Sequence, residues 1–304
     1  MVCTIGFFDG VHRGHQCLIQ QVQDEALRRG MQSLLITFDR HPRMVFAPES
    51  VPPLLTTAEE KMRLLRDSGV DDIYVLPFDA TMAALTARDF MQQVLKERLG
   101  VKVLVIGYDH RFGRRATPAP SGEELFHEYQ EYGREIGIEV IQAKELEGEH
   151  VSSSVIRRAI EAGDVSKAAH LLGRPYTWMG RVVHGHGIGR QLGFPTANLE
   201  AISPEKMLPA RGAYAIRIED LSIINHQSSS LTGMLNIGRR PTLDNGSDTS
   251  IEAHLFDFRG DLYGQVLTLS FIARLREERR FSSEEELAEQ LKRDRETALR
   301  EIQV

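Results

Sequence analysis

The chain has 304 residues, 41% hydrophobic and 26% charged, with a formal net charge of −6. This is the composition of a soluble globular protein, at a length that favours two domains over one. It excludes a helical membrane span, because no apolar run approaches the ~18 residues a bilayer requires, and without a long basic block neither nucleic acid nor a membrane surface is an expected partner. Small polyanions such as nucleotides remain, and self-association is left open. With no basic, signal-like opening, the protein is expected in the cytoplasm. Cys3 and Cys17 are more simply read as small buried thiols than as a bridge or metal site.

Taken in chain order, Val2, Thr4 and Ile5 predict a short buried strand, and Leu18, Ile19, Val22, Ala26 and Leu27 recur at helical spacing. Between them lies GFFDGVHRGH, Gly6 to His15, on a strand-to-helix turn. Further strands are predicted in SLLITF (Ser33 to Phe38), DIYVLPF (Asp72 to Phe78), VKVLVIGYD (Val101 to Asp109) and IEVIQAKEL (Ile138 to Leu146). Helical spacing fills the intervals, as in Glu59 to Leu65 and Phe90 to Leu99. Strands alternating with helices predict a parallel sheet covered on both faces, with ligands at the strand ends. Val155 to Leu172 reads as one or two further helices.

At LLGRPY the pattern changes. WMGRVVHG, GAYAIRI, LTGMLNIG, SIEAHLFDF and VLTLSFIARL are short strand-like runs separated by Gly, Asn and Asp turns, which predicts a small antiparallel barrel or sandwich. A last helix follows FSSEEELAEQLKRDRE, with Ser282 or Ser283 as cap and Glu285 or Glu286 closing a capping box. The stretches Arg114 to Gly122 and Asn225 to Ser230 read as exposed loops. The division falls at 1–172 and 173–304.

Two stretches carry chemistry. In the first, Gly6 and Gly10 allow close backbone approach, and a helix starting near Gly14 aims its free N–H groups at the turn, which makes an anion site. His12 and His15 add N–H groups able to hold phosphate oxygens; the alternatives are a zinc pair or two surface histidines. In the second, GRVVHGHGIGRQLGFPTANL (Gly180 to Leu199), the loop is neither a Walker loop, lacking Gly-Lys-Ser/Thr, nor a dinucleotide fingerprint, because Phe194-Pro195 forbids the required helix. The Thr196 hydroxyl and Asn198 carbonyl share a face of an extended chain and are hard oxygen ligands suited to Mg²⁺ and nucleotide phosphates.

GFFDGVHRGH resembles the HxGH signature of the nucleotidyltransferase superfamily, VIGYDHRFG (Val105 to Gly113) its substrate-facing fourth-strand segment, and VSSSVIR (Val151 to Arg157) its ISSSxIR motif. The glycine-rich string is similar to the flavokinase motif GxGxGRxxGFPTAN, followed in family order by RGAYA, GMLNIGRRPT, IEAHLFDF, DLYG and LREERRF. Together the halves resemble the bifunctional prokaryotic riboflavin kinase and FAD synthetase family. The resemblance implies an α/β plus β protein: a Rossmann-like nucleotidyltransferase domain with a parallel sheet, then a small antiparallel β-barrel of the flavokinase type with a terminal helix. It implies riboflavin, FMN and ATP as substrates, FAD as product and Mg²⁺ as cofactor. In the first half it implies catalytic roles for His12, His15 and Arg157, phosphate contacts at Gly6, Phe7, Asp9, Gly10 and Ser152, Ser153 and Ser154, and flavin contacts at Asp109 and Phe112. In the second it implies nucleotide contacts at Gly187, Gly189 and Arg190, nucleotide and metal contacts at Thr196 and Asn198, a flavin contact at Arg276, and Glu252 inside the barrel mouth as general base. On alternation alone, Glu252 is instead a solvent-facing residue beside core positions Ile251, Ala253 and Leu255. His110 stands where the family often carries an aromatic ring. The chain starts at its first strand, where relatives carry a further turn or strand. The reading from another class is a flavin-binding or regulatory protein retaining only one activity.

Overall fold

The computed structural model describes residues 1–108, 110–114, 122–184, 194–219, 231–239 and 249–303. Its chain divides into two compact units, Met1–Ser153 and Ser154–Val304.

The first unit is built on five parallel strands, β1 (Val2–Ile5), β2 (Ser33–Phe38), β3 (Asp72–Leu76), β4 (Val103–Ile106) and β5 (Glu139–Gln142), in the order β3-β2-β1-β4-β5. β1 is central and its four residues are buried, so its alternating side chains serve two cores. Cys3 and Ile5 pack with Leu34, Leu104 and Tyr129 on one face, while Val2 packs with Val22, Ala26 and Val103 on the other. Both cysteines are free, Cys3 being buried; burial pushes the Cys3 thiol pKa up, as expected of an inert core residue. The strands are shorter than their apolar runs: β3 stops at Leu76 because Pro77 has no N–H to donate to a ladder.

Helices α1 (Arg13–Arg29), α2 (Arg43–Phe46), α3 (Ala58–Arg66), α4 (Ala80–Ala84), α5 (Ala87–Asp89) and α6 (Gly122–Ile136) connect the strands. The predicted helix over Phe90 to Leu99 winds with π-helical turns over Phe90–Arg98. In α1, Ile19, Val22 and Ala26 are buried at helical spacing, but Leu27, expected on that face, is 84% exposed; one residue past Ala26 it is rotated by about 100° away from the sheet.

The second unit opens with α7 (Ser153–Glu161) and α8 (Val165–Leu172), with α7 starting at the division. Six antiparallel strands follow, β6 (Tyr176–Val183), β7 (Ala197–Ala201), β8 (Gly212–Glu219), β9 (Thr232–Arg239), β10 (Thr249–Leu255) and β11 (Val266–Glu277), closing in the order β10-β7-β6-β11-β8-β9. Closure removes the sheet edges, because β10 pairs with both β7 and β9. Tyr176, Trp178 and Val182 of β6 alternate into the core. Gly180 makes room for the Trp178 ring, which would lie 2.6 Å from any Cβ there. Helix α9 (Glu284–Gln303) packs Ala298 against Ala215, Met234 and Phe256 on the outside of the wall. Its start follows expectation: the Glu286 N–H donates to Ser283 Oγ at 3.2 Å, while the Glu286 carboxylate accepts the Ser282 N–H at 2.9 Å.

α8 belongs physically to the barrel. Val165, Ala168, Leu171 and Leu172 are buried, Ser166 Oγ donates to Ile272 O at 3.4 Å, and Arg274 clamps the preceding turn through Ala162 O at 3.2 Å and Arg211 O at 2.7 Å. The composition change at LLGRPY marks where strands begin, whereas the compact unit begins at Ser154. A fragment Ser154–Val304 is therefore expected to melt cooperatively and well above a fragment Arg174–Val304, which loses burial of two leucines worth ~3–6 kcal/mol. Identical thermal melting of the two would show that α8 contributes nothing.

Candidate functional sites

The sheet order changes direction at β1, with β2 and β3 on one side and β4 and β5 on the other. Chains leaving adjacent strands in opposite directions open a crevice at their carboxyl ends. The segment after β1 is GFFDGVHRGH and that after β4 is GYDHRFG, so two motifs about a hundred residues apart in sequence arrive at one place because β1 pairs with β4.

The turn after β1 is strained. Phe8 (φ 55°) and Val11 (φ 40°) take positive φ, as does Gly10 (φ 84°), and for a β-branched residue such as Val11 that conformation is costly. Burial holds it: Phe8 and Val11 are each 2% exposed and pack with Ile19, Leu35 and Leu65. Gly6 stays in the ladder, donating to Ile36 O at 3.0 Å.

His12 is the N-cap of α1, its Nδ1 accepting the His15 N–H at 3.3 Å. The two imidazoles stack, with ring centroids 3.6 Å apart and planes 16° from parallel. Burial, then the charges of His12 and His110, hold the His15 pKa well below the ordinary histidine value. His15 is thus neutral near pH 7 and acts as an N–H donor. Among the described residues no group of three or more His, Cys, Asp or Glu is placed to hold a metal.

Asp9, a candidate phosphate contact, faces inward. It is 4% exposed; its carboxylate accepts the Leu55 N–H at 3.0 Å, the Thr56 N–H at 3.1 Å and the Thr56 hydroxyl at 3.2 Å. The Gly10 N–H donates to Thr56 Oγ1 at 3.1 Å, and Ser153 Oγ donates to the Asp9 carbonyl at 3.0 Å. These bonds tie the strained turn to the segment before α3 and to the serine run. Asp9→Ala strands the buried donors of Leu55 and Thr56, each at ~1–3 kcal/mol. Thermal melting of the first unit is expected to fall by several degrees or more and adenylation to fail with it; an unshifted transition would sink this role.

Lys61 escaped the sequence reading, since a lone lysine on a charged helix reads as solvent-facing. It is 4% exposed, donates to Phe38 O at 2.9 Å, and places its ammonium 4.0 Å from the Phe7 ring centroid. Burial lowers its pKa to about 8, opposed by Asp9 and Asp39. It lies beneath the motif turn as a partly desolvated cation.

An apolar cavity of about 710 Å³ adjoins the turn, lined by Ile5, Phe38, Phe46, Phe78, Phe112 and Arg111 among others. The Phe112 ring stacks on Tyr129 at 4.4 Å and 14°, and the Tyr129 hydroxyl accepts the Phe112 N–H at 3.2 Å. This fixes one cavity wall. Asp109 lies outside the described residues. Ser154 and Arg157 belong to α7, past the division between units.

In the barrel, Thr196 Oγ1 donates to Glu252 Oε2 at 3.4 Å, and Glu252 stands directly opposite Asn198 on β7 and Asn236 on β9. Ile251, Ala253 and Leu255 are buried in the core. Glu252 does not point among them: it shares the outer face with Met234, which packs against α9. It is nonetheless not an ordinary surface glutamate, being half-buried beside three polar partners. On the opposite side of the strand lies a cavity of about 330 Å³ lined by Thr196, Ala197, Ala253, Phe258, Asp261 and Tyr263 among others. Thr196 is common to both sides. Gly187, Gly189 and Arg190 lie outside the described residues.

Arg276 forms an ion pair with Asp294 of α9 at 2.9 Å, Asp294 being 4% exposed and also accepting from Gln290 at 2.8 Å. In this structure the guanidinium ties α9 to the barrel wall.

Two family models match the chain, FAD synthetase over residues 1–155 and riboflavin kinase over residues 172–302. A bifunctional riboflavin kinase/FMN adenylyltransferase of Escherichia coli strain K12 is 38% identical over 299 residues, covering 98% of this chain and 91% of the relative. The protein of that description from Bacillus subtilis strain 168 is 33% identical over 304 residues, covering 98% and 92%. A solved structure described as a macrolide-efflux protein from Streptococcus pneumoniae superposes with a TM-score of 0.82 at 32% identity, covering 98% of this chain and 93% of its own. No helix among the described residues is long and apolar enough to cross a membrane.

Proposed function

Because this chain belongs to the family of bifunctional riboflavin kinases/FMN adenylyltransferases, we propose that its two units divide the two reactions between the two sites described above. The protein is an enzyme of flavin cofactor biosynthesis, making FMN from riboflavin and FAD from FMN, with ATP as co-substrate in both steps.

For adenylyl transfer, the reading is that ATP phosphates lie at the N-terminus of α1, where free N–H groups, the helix dipole and the imidazoles of His12 and His15 converge. The apolar cavity beside Phe112 takes the flavin ring, and Ser152 and Ser153 of the same unit complete the phosphate contacts. The enzyme supplies positioning and fixed donors, with no covalent intermediate. A neutral His15 suits this task because it holds the developing charge without surrendering a proton.

For phosphorylation, the Glu252 carboxylate takes the proton of the ribityl 5′-hydroxyl, whose oxygen then attacks the γ-phosphorus of ATP while ADP leaves. The observation carrying this reading is the position of Thr196: it lines the cavity on one side of the strand and bonds Glu252 on the other. A nucleotide in the cavity and an alcohol at Glu252 therefore meet at its hydroxyl. The oxygen-only donors Thr196 and Asn198 beside a carboxylate fit Mg²⁺, which, held there, would neutralise phosphate charge. A cytoplasmic location accords with this chemistry.

Incubating the protein with riboflavin, ATP and Mg²⁺ and separating flavins over time is expected to show FMN rising first and FAD after it. FMN without FAD would leave the single-activity alternative standing.

A further inference from the structure

Few buried polar side-chain atoms lack a partner among the described residues, and two of them belong to one cluster: His15 Nδ1 and His110 Nε2. His15 follows β1 and His110 follows β4, the adjacent strands at the switch in sheet order. Protonation of His110 would disfavour protonation of His15, so the two rings lie within electrostatic reach of each other. On its other side the His110 ring leans on Phe112, with centroids 5.6 Å apart and planes at 45°, and Phe112 lines the apolar cavity. The backbone is set by a tight turn in which the His110 N–H donates to Gly107 O at 3.2 Å. His110 thus lies between His15 and Phe112, the latter a wall of the cavity. Unpaired buried nitrogens are rare and call for an explanation, of which a ligand supplying the missing partner is one.

We propose that His110 is a catalytic residue of FMN adenylylation, its Nε2–H holding the 5′-phosphate of FMN at the junction of the two subsites; this rests on the assignment of that reaction to the first unit. With ATP phosphates at His12 and His15 and the flavin ring against Phe112, the junction is where the two reacting phosphates come together. There an oxygen of the FMN phosphate forms a bond to the α-phosphorus of ATP. The bond from that phosphorus to the bridging oxygen of the β-phosphate breaks, and pyrophosphate leaves with the electron pair. His110 transfers no proton; it donates a hydrogen bond to an oxygen of the attacking phosphate and aligns it. Burial holds its pKa down at about 4, so the ring is a neutral donor.

The test uses the full-length protein with supplied FMN and ATP, and two variants. His110→Phe keeps a planar ring against Phe112 but removes the nitrogen, while His110→Gln restores an N–H donor. The KM for FMN is expected to rise about 10- to 100-fold in His110→Phe, the loss typical of a hydrogen bond to a charged group. The KM for ATP and the rate of riboflavin phosphorylation should stay within about twofold, and His110→Gln should recover most of the lost FMN affinity. An unchanged KM for FMN in His110→Phe overturns the proposal. So does an equal loss in both variants, which assigns His110 to packing. If the wild-type protein does not adenylate FMN, the assignment of the first unit fails, and the proposal with it.

Discussion

His15→Ala is expected to lower FAD formation from supplied FMN by about 10²–10³-fold, the usual consequence of deleting one preorganised donor to developing charge. FMN formation from riboflavin should be unchanged, since Glu252 and Thr196 lie in the other unit. His12→Ala should lose adenylation to a similar degree and also lose stability, because His12 caps α1 through its Nδ1. Loss of a cap costs about 1 kcal/mol, so the first unit should melt a few degrees lower in His12→Ala. His12→Asn separates these roles: it restores a cap acceptor without restoring the imidazole, so stability should return and adenylation should not. Steady-state rates of both reactions with thermal melting of all three variants provide the check. Equal loss of both activities in His15→Ala would refute the division of sites.

Glu252→Gln is expected to lower riboflavin phosphorylation by about 10²–10⁴-fold, the range over which a positioned general base contributes. Glutamine keeps the side-chain length and an acceptor for the Thr196 hydroxyl, so the barrel wall should persist. Supplied FMN should still be adenylated at the wild-type rate. The measurement is initial FMN and FAD formation at saturating ATP, with melting of the second unit as control. Undiminished kinase activity would return Glu252 to the role its strand alternation suggests, a polar residue on an outer face.

Much of the secondary structure was legible because it rests on local periodicity. Ser33 to Phe38 was read as a strand and is β2 to the residue, since a continuous apolar run bounded by polar turns has few other places to go. The cap of α9 was legible because a capping box is local chemistry. Leu27 was misread because apolar identity does not reveal where a helical face ends. Lys61 was invisible for a related reason: its meaning comes from the Phe38 carbonyl and the Phe7 ring on other elements.

By itself the sequence determined the order of elements, the strand-to-helix turn that places His12 and His15 at a helix N-terminus, the change from parallel α/β to antiparallel β, and the match to a two-reaction family. Each depends on short-range spacing, which the chain carries whatever its fold. Tertiary structure alone decided that β1 and β4 are neighbours, so that His15 and His110 come within electrostatic reach, and that Asp9 turns inward to Leu55 and Thr56. It alone set Asn198 and Asn236 opposite Glu252, and paired Arg276 with Asp294. These are contacts between residues remote in sequence, and strand pairing and burial, which set them, are properties of the closed sheet and barrel rather than of any segment within them.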